Sequence, residues 1–65
     1  MKPDWKDAPE WAEWLALDGR GEWCWHEKAP SISTFRQVWF NDGEKEFAAT
    51  DLSEQDWKES LERRP

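Results

Sequence analysis

Apolar and polar positions change period along the chain. Ala8, Trp11, Ala12 and Leu15 follow i, i+3, i+4, i+7, with Trp14 on the flank and Glu10 and Glu13 facing outward. That spacing predicts an amphipathic helix. Asp7-Ala8-Pro9-Glu10 supplies its start, with Asp7 as cap, Glu10 three residues on and Pro9 in the first turn, where no N–H is needed. Gly19 and Gly21 around Arg20 end it near Asp18. From Glu22 the period falls to two. Trp23, Trp25 and Glu27 share one face of a predicted strand, and Glu22, Cys24 and His26 share the other. Pro30 and Ser31–Thr34 read as a loop. A second strand covers Phe35–Asn41, with Phe35, Gln37 and Trp39 on one side and Arg36, Val38 and Phe40 on the other. Asp42-Gly43 is a hairpin signal. It leads into a short third strand, Glu44–Ala48, that pairs back through Phe47.

A second helix is predicted from Ser53 to Arg63. Ser53 and Asp56 approximate a capping box, and Leu52 with Trp57 matches a hydrophobic staple. Trp57 and Leu61 form its inner stripe, and Glu54–Lys58 and Glu59–Arg63 are i,i+4 pairs on the wet side. No repeat, linker or low-complexity segment interrupts the chain. The predicted order is α-β-β-β-α, a single α+β domain over residues 1–65. Two helices would pack on a three-stranded antiparallel meander.

Composition alters what fills the core. Leu, Ile, Val and Phe supply nine of the 65 residues, below the level of roughly 20% that, with high net charge, marks disorder. Seven tryptophans offset this: Trp5, Trp11, Trp14, Trp23, Trp25, Trp39 and Trp57. Each aromatic ring can bury roughly 150–250 Å², so an aromatic core is expected in place of disulfides or metal. Seven indoles exceed what so small a core can cover completely. Trp14 on the helix flank, Trp5 near the start and one strand tryptophan are expected to be partly exposed. An exposed Trp is a preferred anchor at protein interfaces.

Charge is uneven. Fifteen acids against nine bases give −6. Residues 42–56 carry six acids (Asp42, Glu44, Glu46, Asp51, Glu54 and Asp56) against Lys45 alone. Asp51, Glu54 and Asp56 suit a helix N-terminus, Asp42 suits a turn, and charges at Glu44 and Glu46 would protect an edge strand from aggregation. The same carboxylates can instead form a binding surface for a basic partner, taking the place of nucleic acid in a Lys/Arg-lined channel. Direct binding of nucleic acid is not expected, because it needs a basic footprint.

Other chemistry is sparse. One cysteine, Cys24, excludes an internal disulfide. Cys24 and His26 share a strand face, yet structural zinc needs four ligands and the chain has no other Cys or His. Residues i and i+2 on a strand are poorly placed for a thiolate–imidazole dyad. No carboxylate pair sits in a sequence context that implies a concave catalytic site. The expectation is a protein that is not an enzyme and uses neither cofactor nor metal. No apolar run approaches the roughly 20 residues of a membrane span. Met1–Trp5 lacks the apolar stretch of a signal peptide, so a cytoplasmic protein is expected. The charge favours a monomer.

Two stretches carry a resemblance. Asp7–Ala16 (DAPEWAEWLA) with Trp23–Pro30 (WCWHEKAP), and the close Asp56–Pro65 (DWKESLERRP), resemble short tryptophan-rich accessory proteins of tailed phages and prophages. Ser31–Thr50 departs from that pattern, and no functional residue carries over. The resemblance implies a phage protein acting in the bacterial host cytoplasm. By analogy it suggests an inhibitor of host machinery, of the kind exemplified by anti-CRISPR proteins that occupy the DNA-binding surface of a type I complex. The leading expectation is therefore an acidic DNA mimic. It would bind a basic host protein, such as a CRISPR effector subunit that recognises DNA, through the six acids of residues 42–56 and Trp14. The alternative is a non-catalytic phage protein–protein interaction module with Trp anchors.

Overall fold

Three adjacent residues, Leu15, Ala16 and Leu17, are all buried. A surface helix hides one stripe, whereas a strand covered on both faces hides every residue. Trp14–Leu17 is accordingly a strand, β1, in the computed structural model, which describes all 65 residues. The remaining strands are β2 (Glu22–His26), β3 (Ser31–Ser33), β4 (Val38–Phe40), β5 (Lys45–Thr50) and β6 (Glu62–Arg63). Single 3-10 turns lie at Trp5–Asp7 and Trp57–Glu59. The α+β expectation is thus overturned: six strands form two antiparallel sheets, and there is no α-helix.

The main sheet has the order β5-β2-β1-β6, and β3 pairs with β4 in a separate two-stranded sheet. Register sets the two faces. Leu15 lies opposite Trp25 and Leu17 opposite Trp23 on one face, while Trp14 lies opposite His26 and Ala16 opposite Cys24 on the other. The first face carries the core of Ala12, Leu15, Leu17, Trp23 and Trp25. Trp5, Ala8 and Trp11 from the opening segment close over it, together with Ala48 and Trp57. The Trp5 and Trp25 ring centroids are 5.0 Å apart. The β3–β4 hairpin covers the second face. Trp39 is buried there, its indole N–H donating to the Leu17 carbonyl at 3.0 Å. This double cover explains why all of Trp23–His26 is buried although its sequence alternates.

The first predicted helix gives way to two competing demands. Its apolar spacing is real, since Ala12 and Leu15 are fully buried. However, the run Trp14–Leu17 is needed whole as the sheet centre. Gly19 and Gly21 then serve a hairpin turn, not a helix end. Asp18 Oδ1 accepts from the N–H groups of Arg20 and Glu22, and Gly21 takes φ +84°.

The second predicted helix fails for a different reason. An eleven-residue helix with only Trp57 and Leu61 facing inward has little burial to offset nucleation. Leu52, the expected staple, is 81% exposed. Asp56 caps one 3-10 turn instead. Ser60 ends that turn: its hydroxyl accepts from Leu17 N at 2.8 Å and lies 2.6 Å from the Trp57 carbonyl. The chain then runs alongside β1 as β6, with Glu62 opposite Leu15 and Arg63 opposite Trp14. The expected Glu54–Lys58 and Glu59–Arg63 pairs do not form; the two ion pairs of the molecule are Met1–Asp51 and Lys2–Glu62.

The meander is also corrected. Ser31–Ser33, expected as loop, is a strand, and only Val38–Phe40 of the second expected strand pairs. Asp42-Gly43 joins the two sheets, and β5 pairs with β2, not with β4. Asn41 fixes this crossing. Its Oδ1 accepts from Gly43 N at 2.5 Å, while its Nδ2 donates to His26 Nδ1 at 2.8 Å.

Candidate functional site

The acids of residues 42–56 follow β5 and its flanking loops. A strand rises about 3.3 Å per residue, so Lys45–Thr50 spans roughly 17 Å. Asp42 and Glu44 lie before one end of that span, Glu54 and Asp56 beyond the other, and Glu46 between. In a molecule of 28 × 24 × 17 Å, the acids form no compact cluster: Asp42, Glu44 and Glu46 follow the β5 edge, whereas Glu54 and Asp56 lie on the segment that leaves it for the Trp57–Glu59 turn packed on β1. Asp42, Glu44, Glu46, Glu54 and Asp56 are all exposed, and none belongs to either ion pair.

Asp51 is the exception. It is buried, and its carboxylate is occupied internally. Oδ1 accepts from the Ser53 hydroxyl at 2.5 Å and from Ser53 N at 3.1 Å. Oδ2 accepts from the Trp23 indole at 3.2 Å and from Gln55 Nε2 at 2.9 Å, and the Met1 amino group lies 2.9 Å away. The Ser53 hydroxyl foremost, then the Met1 amino group, hold this carboxyl well below the usual carboxylate range. Asp51 thus organises the 51–55 loop against the core, and it is not available to a partner.

Local structure shapes the rest of the rim. Glu44 N donates to Glu27 Oε1 at 3.0 Å, and its carbonyl accepts from Glu27 N at 3.0 Å, leaving its own carboxylate in solvent. Asp56 spends one oxygen on Lys58 N, at 3.2 Å. Glu46 stands opposite Trp25 on the core face of the sheet. Trp14, the expected anchor, is half-buried on the other face, with the Arg63 guanidinium 5.6 Å from its ring centre. It sits on β1 beside β6, separated from β5 by β2 and on the face opposite Glu46. The acidic rim and Trp14 are therefore not one contiguous site. Trp5 is also half-buried, as expected, whereas Trp23, Trp25 and Trp39, one of which was expected to be partly exposed, are all buried.

Cys24 and His26 do share a face, as their spacing implied, but both are buried. Burial pushes the Cys24 thiol up, so it is protonated at neutral pH. Burial, aided by the Lys45 charge, lowers His26 to about 4. Its Nδ1 accepts from Asn41, which places the neutral ring's proton on Nε2, a buried atom without a partner. No group of three or more His, Cys, Asp or Glu side chains converges as metal ligands. No helix is long and apolar enough to cross a membrane.

Two features escape the sequence pattern. Asp4 and Asp7 join Glu46 around a groove of about 570 Å³ between the opening segment and β5. Nothing local in residues 1–7 reveals that they fold back across the sheet. Phe35, Phe40 and Phe47 resemble core residues, yet they are 95%, 50% and 55% exposed. Compared with family models, curated proteins and solved structures, the chain matches none of them.

Proposed function

We propose that this protein is a non-catalytic binding domain whose acidic β5 rim engages a cationic surface of a partner protein and competes there with nucleic acid. The observation that supports this reading is the exposure of Asp42, Glu44, Glu46, Glu54 and Asp56 without an intramolecular base for any of them. Unneutralised carboxylates on β5 and the segments flanking it project a negative field, which speeds encounter with a basic partner and weakens as salt rises. The resemblance to phage accessory proteins makes a DNA-recognising CRISPR effector subunit the first partner to assay, with the bacterial cytoplasm as the setting.

The test is displacement of DNA from such a subunit by the protein at low and high salt. Glu44→Lys combined with Glu46→Lys should raise the concentration needed for displacement at least tenfold while leaving the fold intact by circular dichroism. Undiminished displacement by that double variant rejects the acidic rim. The placement of half-exposed Trp14 on the opposite side of the sheet favours a second reading, an aromatic-anchored interaction module. There, binding would vary little with salt and would be lost in Trp14→Ala.

A further inference from the structure

β5 is an edge strand. It has β2 on one side and no strand on the other. Beyond its ladder with β2, no backbone or side-chain hydrogen bond engages the main chain of Lys45–Thr50. The outer edge therefore presents unpaired N–H and C=O groups, the template for an added strand. Register sorts its side chains. Glu46 shares the Trp25 face, and Phe47, over half exposed, shares the Cys24 face. On the Glu46 side the edge borders the groove floored by Trp25, where Asp4, Asp7 and Glu46 stand against Lys6, because Lys2 is already engaged by Glu62.

We infer that the β5 edge receives an extended, cationic segment of the partner protein by strand addition. This rests on the acidic-rim reading and gives that rim a defined ligand. An incoming strand has a period of two. A segment alternating Lys or Arg with apolar residues would set its cations beside Glu46 and the groove acids, and its apolar side chains beside Phe47. A second copy of this chain fits less well. Two β5 edges would bring together two acidic rims on molecules of net charge −6. The pairing shift opposite Trp23 and Cys24, which leaves Ala48 as the extra residue on β5, also spoils a flat self-pairing edge.

The experiment titrates the full chain with a synthetic peptide alternating lysine and valine, followed by amide chemical shifts. Two N-methylated forms of the peptide, blocking one or the other alternate set of amides, serve as controls. Shifts should concentrate in Lys45–Thr50. One methylated form should bind roughly tenfold or more weakly, because its edge-facing donors are gone, and the other should bind as the parent does. Equal binding of both forms, no binding of the parent peptide, or a concentration-dependent dimer that excludes the peptide would each overturn strand addition. Equal binding that is still lost in the Glu44→Lys, Glu46→Lys variant would leave the acidic-rim reading standing. Binding indifferent to that variant would remove both.

Discussion

His26 and Asp51 illustrate how position, not residue type, decides the work of a polar side chain here. His26 is fully buried and neutral, with Asn41 as its one side-chain partner. Its pKa is about 4 in the folded chain against 6.5 ordinarily. Between those values the unfolded chain binds a proton that the folded chain does not. Stability therefore falls as pH drops through that window and levels off below about 4 as far as this group is concerned. For so small a domain, loss of this contribution weighs on a narrow margin of stability. The urea midpoint should accordingly drop markedly between pH 7 and pH 4; an unchanged midpoint contradicts the buried neutral ring. Asp51 and Glu62, both held low by hydrogen-bonded partners, extend the loss in the same direction at more acid pH. Replacing Asp51 by Ala leaves the Trp23 indole without its acceptor, so it should lower the melting temperature.

At the scale of elements, burial separates indoles from phenyl rings. Trp25 lies in the core and touches Trp5, whereas Phe35 stands at the tip of the β3–β4 hairpin almost wholly in water. Trp25→Ala should cost about 3–5 kcal/mol, and Phe35→Ser should stay within about 0.5 kcal/mol, both read by denaturant melts. Gly21 is the sharpest backbone constraint. Its φ of +84° is disfavoured for other residues, and an added Cβ would lie 2.8 Å from the Asp51 carbonyl oxygen. Gly21→Ala should destabilise by roughly 1–3 kcal/mol in the same assay. These elements also mark what the sequence could reveal. β2 was legible because Glu22–His26 alternates strictly. β1 was not, because Trp14–Leu17 is apolar at every position and carries no alternation, so the helical spacing through Ala12 and Leu15 dominates the pattern. β6 carries no local signal at all. Glu62 and Arg63 become a strand because β1 offers an open edge, and Glu62 is held there by the Trp5 indole at 2.6 Å and by Lys2. Of the acidic site, the exposure of five carboxylates was legible. The internal use of Asp51 and the separation of Trp14 from the rim depend on which strands pair, which local pattern does not encode.

For the molecule as a whole, two ion pairs against a net charge of −6 leave most surface charge uncompensated. Salt should therefore act with opposite signs on folding and on binding. Raising ionic strength from about 10 mM to about 150 mM shortens the screening length from roughly 30 Å to about 8 Å. Self-repulsion weakens, so the melting temperature should rise. Attraction to a cationic partner weakens too, so affinity should fall. A calorimetric series and a binding series over the same salts check both, and a fall in both would contradict a repulsive rim.

The knitting of residues 62–64 to the opening segment has a consequence for how the chain acquires its shape. Glu62 meets Lys2 and Trp5, while Arg64 donates to the Pro9 and Ala12 carbonyls. The sheet and its cover thus close only when segments some fifty positions apart come together. Loops that long are slow to close, so folding should be sluggish for a chain this short. During synthesis, β1 must wait with one bare edge until β6 has left the ribosome.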